Sequence, residues 1–378
     1  MKKSTIPIFL GFMIMGFGDV VGSLVAFAKE SFSLSSGVAG ILPFVAFLAF
    51  GLLSVPMGLL QNKKGKKFVM LLGLGVALIG LTIPIISMSN YLNLIVSICL
   101  LGAGMAILQV SGNPMMRDVS APGKFSQNLS FAQFIKSIGS LSGSILIAMI
   151  LSSWTDLFPI YAIFVSVTFV AVWQLKLEPT EKKTESTATI RSSFGLLKYP
   201  YVVLMVVTIF LYVGAEVGIN SWIATYLNSS FGLDIKKIAT LGIGFFFAAL
   251  MVGRLLGAVI LTWIQAKTFF LTTSIISIIG ILGLFAGDQT VAIVSIFVMG
   301  LGFANVFPLV FSILIDKMPE HTNELSGLLI MAIIGGAIVP LLMGIIADTS
   351  ILGSFLIPLF SFLFITLTAI VTLKKVNS

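Results

Sequence analysis

Four ionisable residues stand inside otherwise apolar stretches of this 378-residue chain: Asp19, Lys136, Glu216 and Arg254. A charge in hydrocarbon costs on the order of 3 kcal/mol on insertion scales, so such residues persist where they pair or face an aqueous path. Asp19 lies in GFGDVVGS, among small residues that admit a solute or another helix. A carboxylate there can exchange a proton, making Asp19 a candidate coupling group; the alternative is a structural ion pair with Lys136. Glu216, in YVGAEVGINSW, can couple to a cation and can also accept sugar hydroxyls. Arg254, in MVGRLLGA, lies nearer one membrane face and reads as a gating or structural residue paired with an acid of the loops.

Uncharged polar groups accompany these four. Gln133 precedes Lys136 at i, i+3 and Asn220 follows Glu216 at i, i+4, spacings that put each pair on one helix face. An amide beside an ammonium suits a hydroxyl-rich or anionic solute. Trp222 could stack on a sugar ring, but its place near a span end favours a membrane-interface role. Gln109 and Asn113 stand just before Pro114, and Asn305 just before Pro308; a proline in a span frees backbone groups and can aim polar atoms inward. Gln109, Asn113, Gln133, Lys136, Glu216, Asn220 and Asn305 are therefore the candidate substrate-binding residues, with Asp19 and Glu216 the candidates for proton or cation coupling.

The elements that must hold them are membrane helices. Apolar residues make up 58% of the chain and charged ones 10%, against about a quarter charged in soluble domains. At ~20 apolar residues per crossing, twelve spans are expected, near 6–28, 37–60, 68–88, 91–116, 126–152, 157–176, 200–226, 236–264, 267–286, 290–315, 324–347 and 351–373. The stretch 178–199 (EPTEKKTESTATIRSSFGLLKY from Glu178) is polar. This gives an all-α membrane protein of two six-helix bundles, 1–177 and 200–378, joined by a cytoplasmic linker. Seventeen of the 22 basic residues fall on one side of that layout and three on the other, which places both termini in the cytoplasm by the positive-inside rule. The excess positive charge is thus a topology signal, and nucleic-acid binding is not expected. The apolar run from Lys2–Lys3 is too long for a signal-peptide core and reads as a retained first span. One cysteine, Cys99, allows no internal disulfide. His321 is the single histidine, in a loop, and the spans hold no metal-ligand spacing or nucleophile–base pair. Neither an enzyme nor a bound cofactor or metal is expected.

The halves echo each other. GAGMAILQVSGNPMMRDVS from Gly102 aligns without gaps on GLGFANVFPLVFSILIDKM from Gly300, matching Gly102 with Gly300, Gly104 with Gly302 and Asp118 with Asp316. With the six-plus-six layout this supports a duplicated fold whose site lies between the halves near the midplane.

The loop GLLQNKKGKK, from Gly58 to Lys67, resembles the signature loop of the major facilitator superfamily. Gly58 and Gly65 match its glycines, which permit close packing and a tight turn, while Asn62 replaces its usual acid and weakens the case for a gating salt bridge. GNPMM, QNLSFAQFIKSIGS, YVGAEVGINSWIATYL, MVGRLLG and LIMAIIGGAIVPLLMGIIAD together resemble the fucose–galactose–glucose permease branch, in order and over nearly the whole chain. The resemblance implies the major facilitator fold and a proton- or sodium-coupled monosaccharide importer working by alternating access in a bacterial inner membrane, expected to be monomeric. This chain departs from that branch in three places. The family's first-span acid aligns with Gly22, about one turn after Asp19; its fourth-span glutamate is Gln109; and of its fifth-span Gln and Asn, Gln133 keeps the first while Lys136 replaces the second. A titratable acid is lost and a cation gained. Two substrates follow as hypotheses: a neutral hexose or deoxyhexose, favoured here, with Lys136 paired to Asp19 or Glu216, and an acidic sugar whose carboxylate meets Lys136. A drug or metabolite exporter of the same superfamily is the alternative function, and a non-transporting receptor the remaining class.

Overall fold

A computed structural model describes residues 5–21, 24, 28, 31–34, 38, 41–88, 90–149, 153–175, 189–233 and 235–374. Gly22, the first half of the linker (178–188) and the terminal lysines Lys2, Lys3 and Lys375 lie outside the described residues. All regular elements described are helical. In chain order they are α1 (Ile6–Phe17), α2 (Ile41–Lys64), α3 (Lys66–Ile86), α4 (Tyr91–Val119), α5 (Phe125–Met149), α6 (Leu157–Gln174), α7 (Ile190–Gly195), α8 (Pro200–Phe231), α9 (Ile235–Ile260), α10 (Ala266–Gly283), α11 (Gln289–Phe303), α12 (Val306–Lys317), α13 (Thr322–Met331), α14 (Gly335–Ala347), α15 (Ile351–Ser354) and α16 (Leu356–Lys374).

Among the described residues nine helical stretches are long and apolar enough to cross a membrane, and two shorter apolar ones cover Ile6–Val20 and Phe245–Ile260. With α5, long enough but carrying Gln133 and Lys136, each of the twelve expected spans has its helix. The tenth and eleventh are each broken in two: Ala304 and Asn305 form a turn between α11 and α12, and a 3-10 turn, Ala332–Ile334, separates α13 from α14. One element was not expected. Helix α7 lies in the polar linker, where Thr189 and Ser192 cap its first turn reciprocally.

Local chemistry fixes the helix ends. Asn90 accepts from Asn93 N–H at the start of α4, and Asp288 from Val291 N–H at the start of α11. Only Gly65 separates α2 from α3, at φ +87°, a backbone conformation that a side chain would strain. The basic residues after it have defined partners: Lys66 pairs with Asp118 at 2.7 Å, and Lys67 donates to the carbonyls of Trp173 and Leu175 at the end of α6.

Packing divides the chain into two units. One comprises Met1–Pro122, Ile135–Leu197 and Met318–Met331; the other comprises Gly123–Phe134, Lys198–Lys317 and Ala332–Ser378. Relative to the expected halves 1–177 and 200–378, segments 123–134 and 318–331 lie in the opposite unit, and the two overlap under the repeat offset. In the first unit α13 packs on α2 and α4. Gly58 and Gly327 let the backbones approach: a Cβ at Gly58 would lie 2.7 Å from the Asn323 carbonyl oxygen, and one at Gly327 would lie 3.0 Å from that of Ser54. Asn323 Nδ2 donates to Asn62 Oδ1, so a neutral amide pair joins these helices through the position where the resembled loop carries an acid. In the second unit Ser126 and Ser312 share a 2.7 Å hydrogen bond, and α8 is tied to α16 by Tyr201–Thr372 and Thr208–Thr368.

Gln61, 2% exposed and one turn beyond Gly58, makes no hydrogen bond with either side-chain polar atom. A buried polar group without a partner costs about 1–3 kcal/mol, and an apolar group of similar shape removes that cost. Gln61→Leu is therefore expected to raise the melting temperature of the purified protein by about 2–4 °C. A lower melting temperature would show that the amide is satisfied in the native state.

Candidate functional site

The structure pairs each in-span carboxylate with an in-span base of its own unit. In the first unit α1 and α5 cross where both are glycine. A Cβ on Gly16 would lie 2.2 Å from the Lys136 carbonyl oxygen, and one on Gly139 would lie 2.0 Å from that of Met13. No side chain fits between the backbones, and the crossing brings the next polar residues together. Asp19 stands three residues after Gly16, in the 3-10 turn Gly18–Val20, and Lys136 three before Gly139. Lys136 Nζ lies 3.3 Å from Asp19 Oδ2, and the Ser140 hydroxyl donates to the same oxygen at 2.6 Å. Among the described residues both contacts are on Oδ2, on a side chain 30% exposed, while Lys136 is 14% exposed. Behind the pair, Phe17 stacks on Tyr161 at 3.7 Å between centroids, and Tyr161 shares a hydrogen bond with Ser142.

In the second unit Arg254 Nη2 lies 3.3 Å from Glu216 Oε1 and 3.5 Å from the Tyr212 hydroxyl, and Arg254 Nε donates to the Ala304 carbonyl at 3.4 Å. The arginine is 7% exposed and the glutamate 19%. Tyr212 is one helical turn before Glu216 and stacks on Phe303 at 4.3 Å, so two residues of α8 and the end of α11 hold one guanidinium. This corrects the expectation for Arg254, whose acid is in the membrane span and not in a loop. A guanidinium this buried takes a carboxylate within reach because leaving its charge unpaired is costly.

The other expected residues divide. Gln109 is buried in the first unit and Gln133 in the second, and Asn220 is half-buried on α8, where its Oδ1 makes no hydrogen bond. Asn113 is fully buried and its Nδ2 donates to the Gln109 carbonyl of its own helix. Asn305 Nδ2 donates to the Gly253 carbonyl at 2.7 Å, and its amide fills the space beside Gly257, where a Cβ would lie 2.2 Å from it. These contacts give Asn113 and Asn305 packing work. Trp222 donates from its indole nitrogen to the Pro340 carbonyl and lies over Gly344, both on α14. Gly58, Asn62 and Gly65 belong to the α2–α3 junction and the α13 contact. Ser140 and Tyr212 were not singled out in the sequence. Each lies four residues from a charged residue already marked, so helical periodicity would have found them.

Removing one member of the second pair leaves the other buried and unpaired. Glu216→Gln is expected to lower stability by roughly 3 kcal/mol, and Glu216→Gln combined with Arg254→Met to recover most of it. Additive losses in thermal or denaturant melts would show that the two do not act as a pair.

Comparisons with known proteins agree with this architecture. Residues 8–333 match the sequence profile of the Major Facilitator Superfamily. A glucose/galactose transporter of Brucella abortus is 28% identical over 368 residues, covering 93% of this chain and 89% of its own. An L-fucose-proton symporter of Haemophilus influenzae is 22% identical, covering 97% and 96%. The crystal structure of the transporter FucP in an outward conformation superposes with a TM-score of 0.83 at 19% identity, over 98% of this chain and 99% of that one.

Proposed function

The chain belongs to the Major Facilitator Superfamily, and we propose that this multi-pass membrane transporter imports a neutral monosaccharide, a hexose or deoxyhexose, by alternating access with a coupled proton. The observation that carries the substrate class is the Asp19–Lys136 pair. Lys136 was the residue that made an acidic sugar attractive; with its ammonium 3.3 Å from a carboxylate, its charge is already answered. A neutral polyol needs donors and acceptors rather than a net charge, and Gln109, Gln133, Asn220 and Glu216 supply both. The names of the relatives from Brucella abortus and Haemophilus influenzae support the same class.

A proton suits the coupling role better than sodium. A metal cation needs several oxygens around it, whereas each in-span carboxylate faces a base. A proton added to Asp19 needs no such shell. It enters at Oδ1, releases Lys136, and leaves the carboxyl group hydrogen-bonded to Ser140. Glu216 is the second coupling candidate. In this reading the protein resides in a bacterial inner membrane with both termini cytoplasmic.

The test is uptake into proteoliposomes across a sugar panel that includes uronates, with proton and sodium gradients imposed separately. Glucose, galactose or fucose is expected to accumulate with the proton gradient, and Asp19→Asn to abolish accumulation while leaving counterflow. Lys136→Gln separates the two substrate classes: uptake of uronates by the wild type, lost in this variant, would favour an acidic substrate. A response to sodium alone would overturn the coupling assignment.

A further inference from the structure

We propose that Pro308 is a positioning residue for the transport site, acting through a carbonyl that it leaves without an amide partner. In a continuous helix the N–H of residue 308 would donate to the carbonyl of Ala304. Proline has none, and the span breaks there: α11 ends at Phe303, Ala304 and Asn305 form the turn, and the first hydrogen bond of α12 runs from Leu309 N to the Asn305 carbonyl. The Ala304 carbonyl is the acceptor for Arg254 Nε, and the same guanidinium reaches Glu216 and Tyr212. Proline at 308 thus fixes the azimuth at which the arginine presents its fork to the carboxylate.

Two other prolines show how general the device is and why this one differs. Pro84 frees the Gly80 carbonyl, taken by the Ser97 hydroxyl at 2.8 Å; Pro114 frees the Val110 carbonyl, taken by the Ser326 hydroxyl at 2.8 Å. Both are hydroxyl contacts between helices. Only the Ala304 carbonyl, among these three, takes a charged donor that also holds an in-span acid. An arginine can serve as that link because its donors point in several fixed directions at once; a lysine offers one point charge.

The assignment rests on the transport reading above, so counterflow of the preferred sugar is measured first in the wild type. Absence of wild-type counterflow for every sugar would defeat that reading and, with it, this one. Given an active wild type, maximal rate and KM are compared for Pro308→Ala, Arg254→Lys and the double variant. Pro308→Ala restores the N–H, occupies the Ala304 carbonyl and releases Arg254 Nε; the expected result is a maximal rate about tenfold lower, the size of one hydrogen bond to a charged group. Melting temperature should stay equal or rise, because the helix gains a hydrogen bond. Arg254→Lys should cost a similar factor, and the double variant no more than the worse single one. Multiplying losses in the double variant, or a Pro308→Ala rate equal to wild type, would overturn the proposal. Should Pro308→Ala misfold, Pro308→Gly also supplies the N–H and carries the same expectations.

Discussion

A backbone carbonyl cannot be left without a donor in hydrocarbon, and much of this molecule's internal chemistry follows from that constraint. Each proline placed inside a span removes one donor and creates one orphaned acceptor. The orphans at Gly80, Val110 and Ala304 are met by side chains from other helices. What begins as a local defect becomes a directional tie between segments distant in sequence. Hydrophobic burial has little to say about which helix lies against which in lipid, because lipid is as apolar as leucine. Ties of this kind, with glycine-on-backbone crossings such as Gly16 on Gly139, specify the neighbours.

The charges obey the same economy. Asp19 and Glu216 each lie on the first helix of a half, and each is answered inside its own unit, but by different means. Asp19 meets a lysine and a serine on one oxygen. Glu216 meets an arginine that is itself held by a carbonyl and a tyrosine. The first arrangement is more exposed and has few contacts to break; the second is more enclosed and more thoroughly braced.

Helix number was legible in the sequence because membrane crossing demands a length and an apolarity that few other structures share. The four in-span charges were legible for the complementary reason: they violate that rule. Pairing was harder to read. Arg254 was assigned an acid in the loops because its place in the sequence put it nearer one membrane face; that the consecutive spans seven and eight turn Glu216 and Arg254 toward each other is decided by packing. The contact of Asn305 was obscured similarly, since an asparagine lining a cavity and one filling a glycine notch look alike in sequence. The break at Ala304–Asn305 was half visible: Pro308 was noted, but the carbonyl it frees has no signature of its own. Helix α7 was hidden in a stretch too polar and too short for periodicity to register.

The exchange of equivalent segments between the two units has a consequence for biogenesis. The first unit includes residues 318–331, which are synthesised 120 residues after its preceding segment ends at Leu197. At bacterial-to-eukaryotic elongation speeds of ~5–20 residues per second, the nascent chain spends roughly 6–24 s with α2 and α4 lacking the helix that later covers them. During that interval Gly58, Asn62 and the Val110 carbonyl lack their contacts with α13. The first unit cannot mature on its own timetable; its last piece arrives only after a long stretch of the second unit has been made.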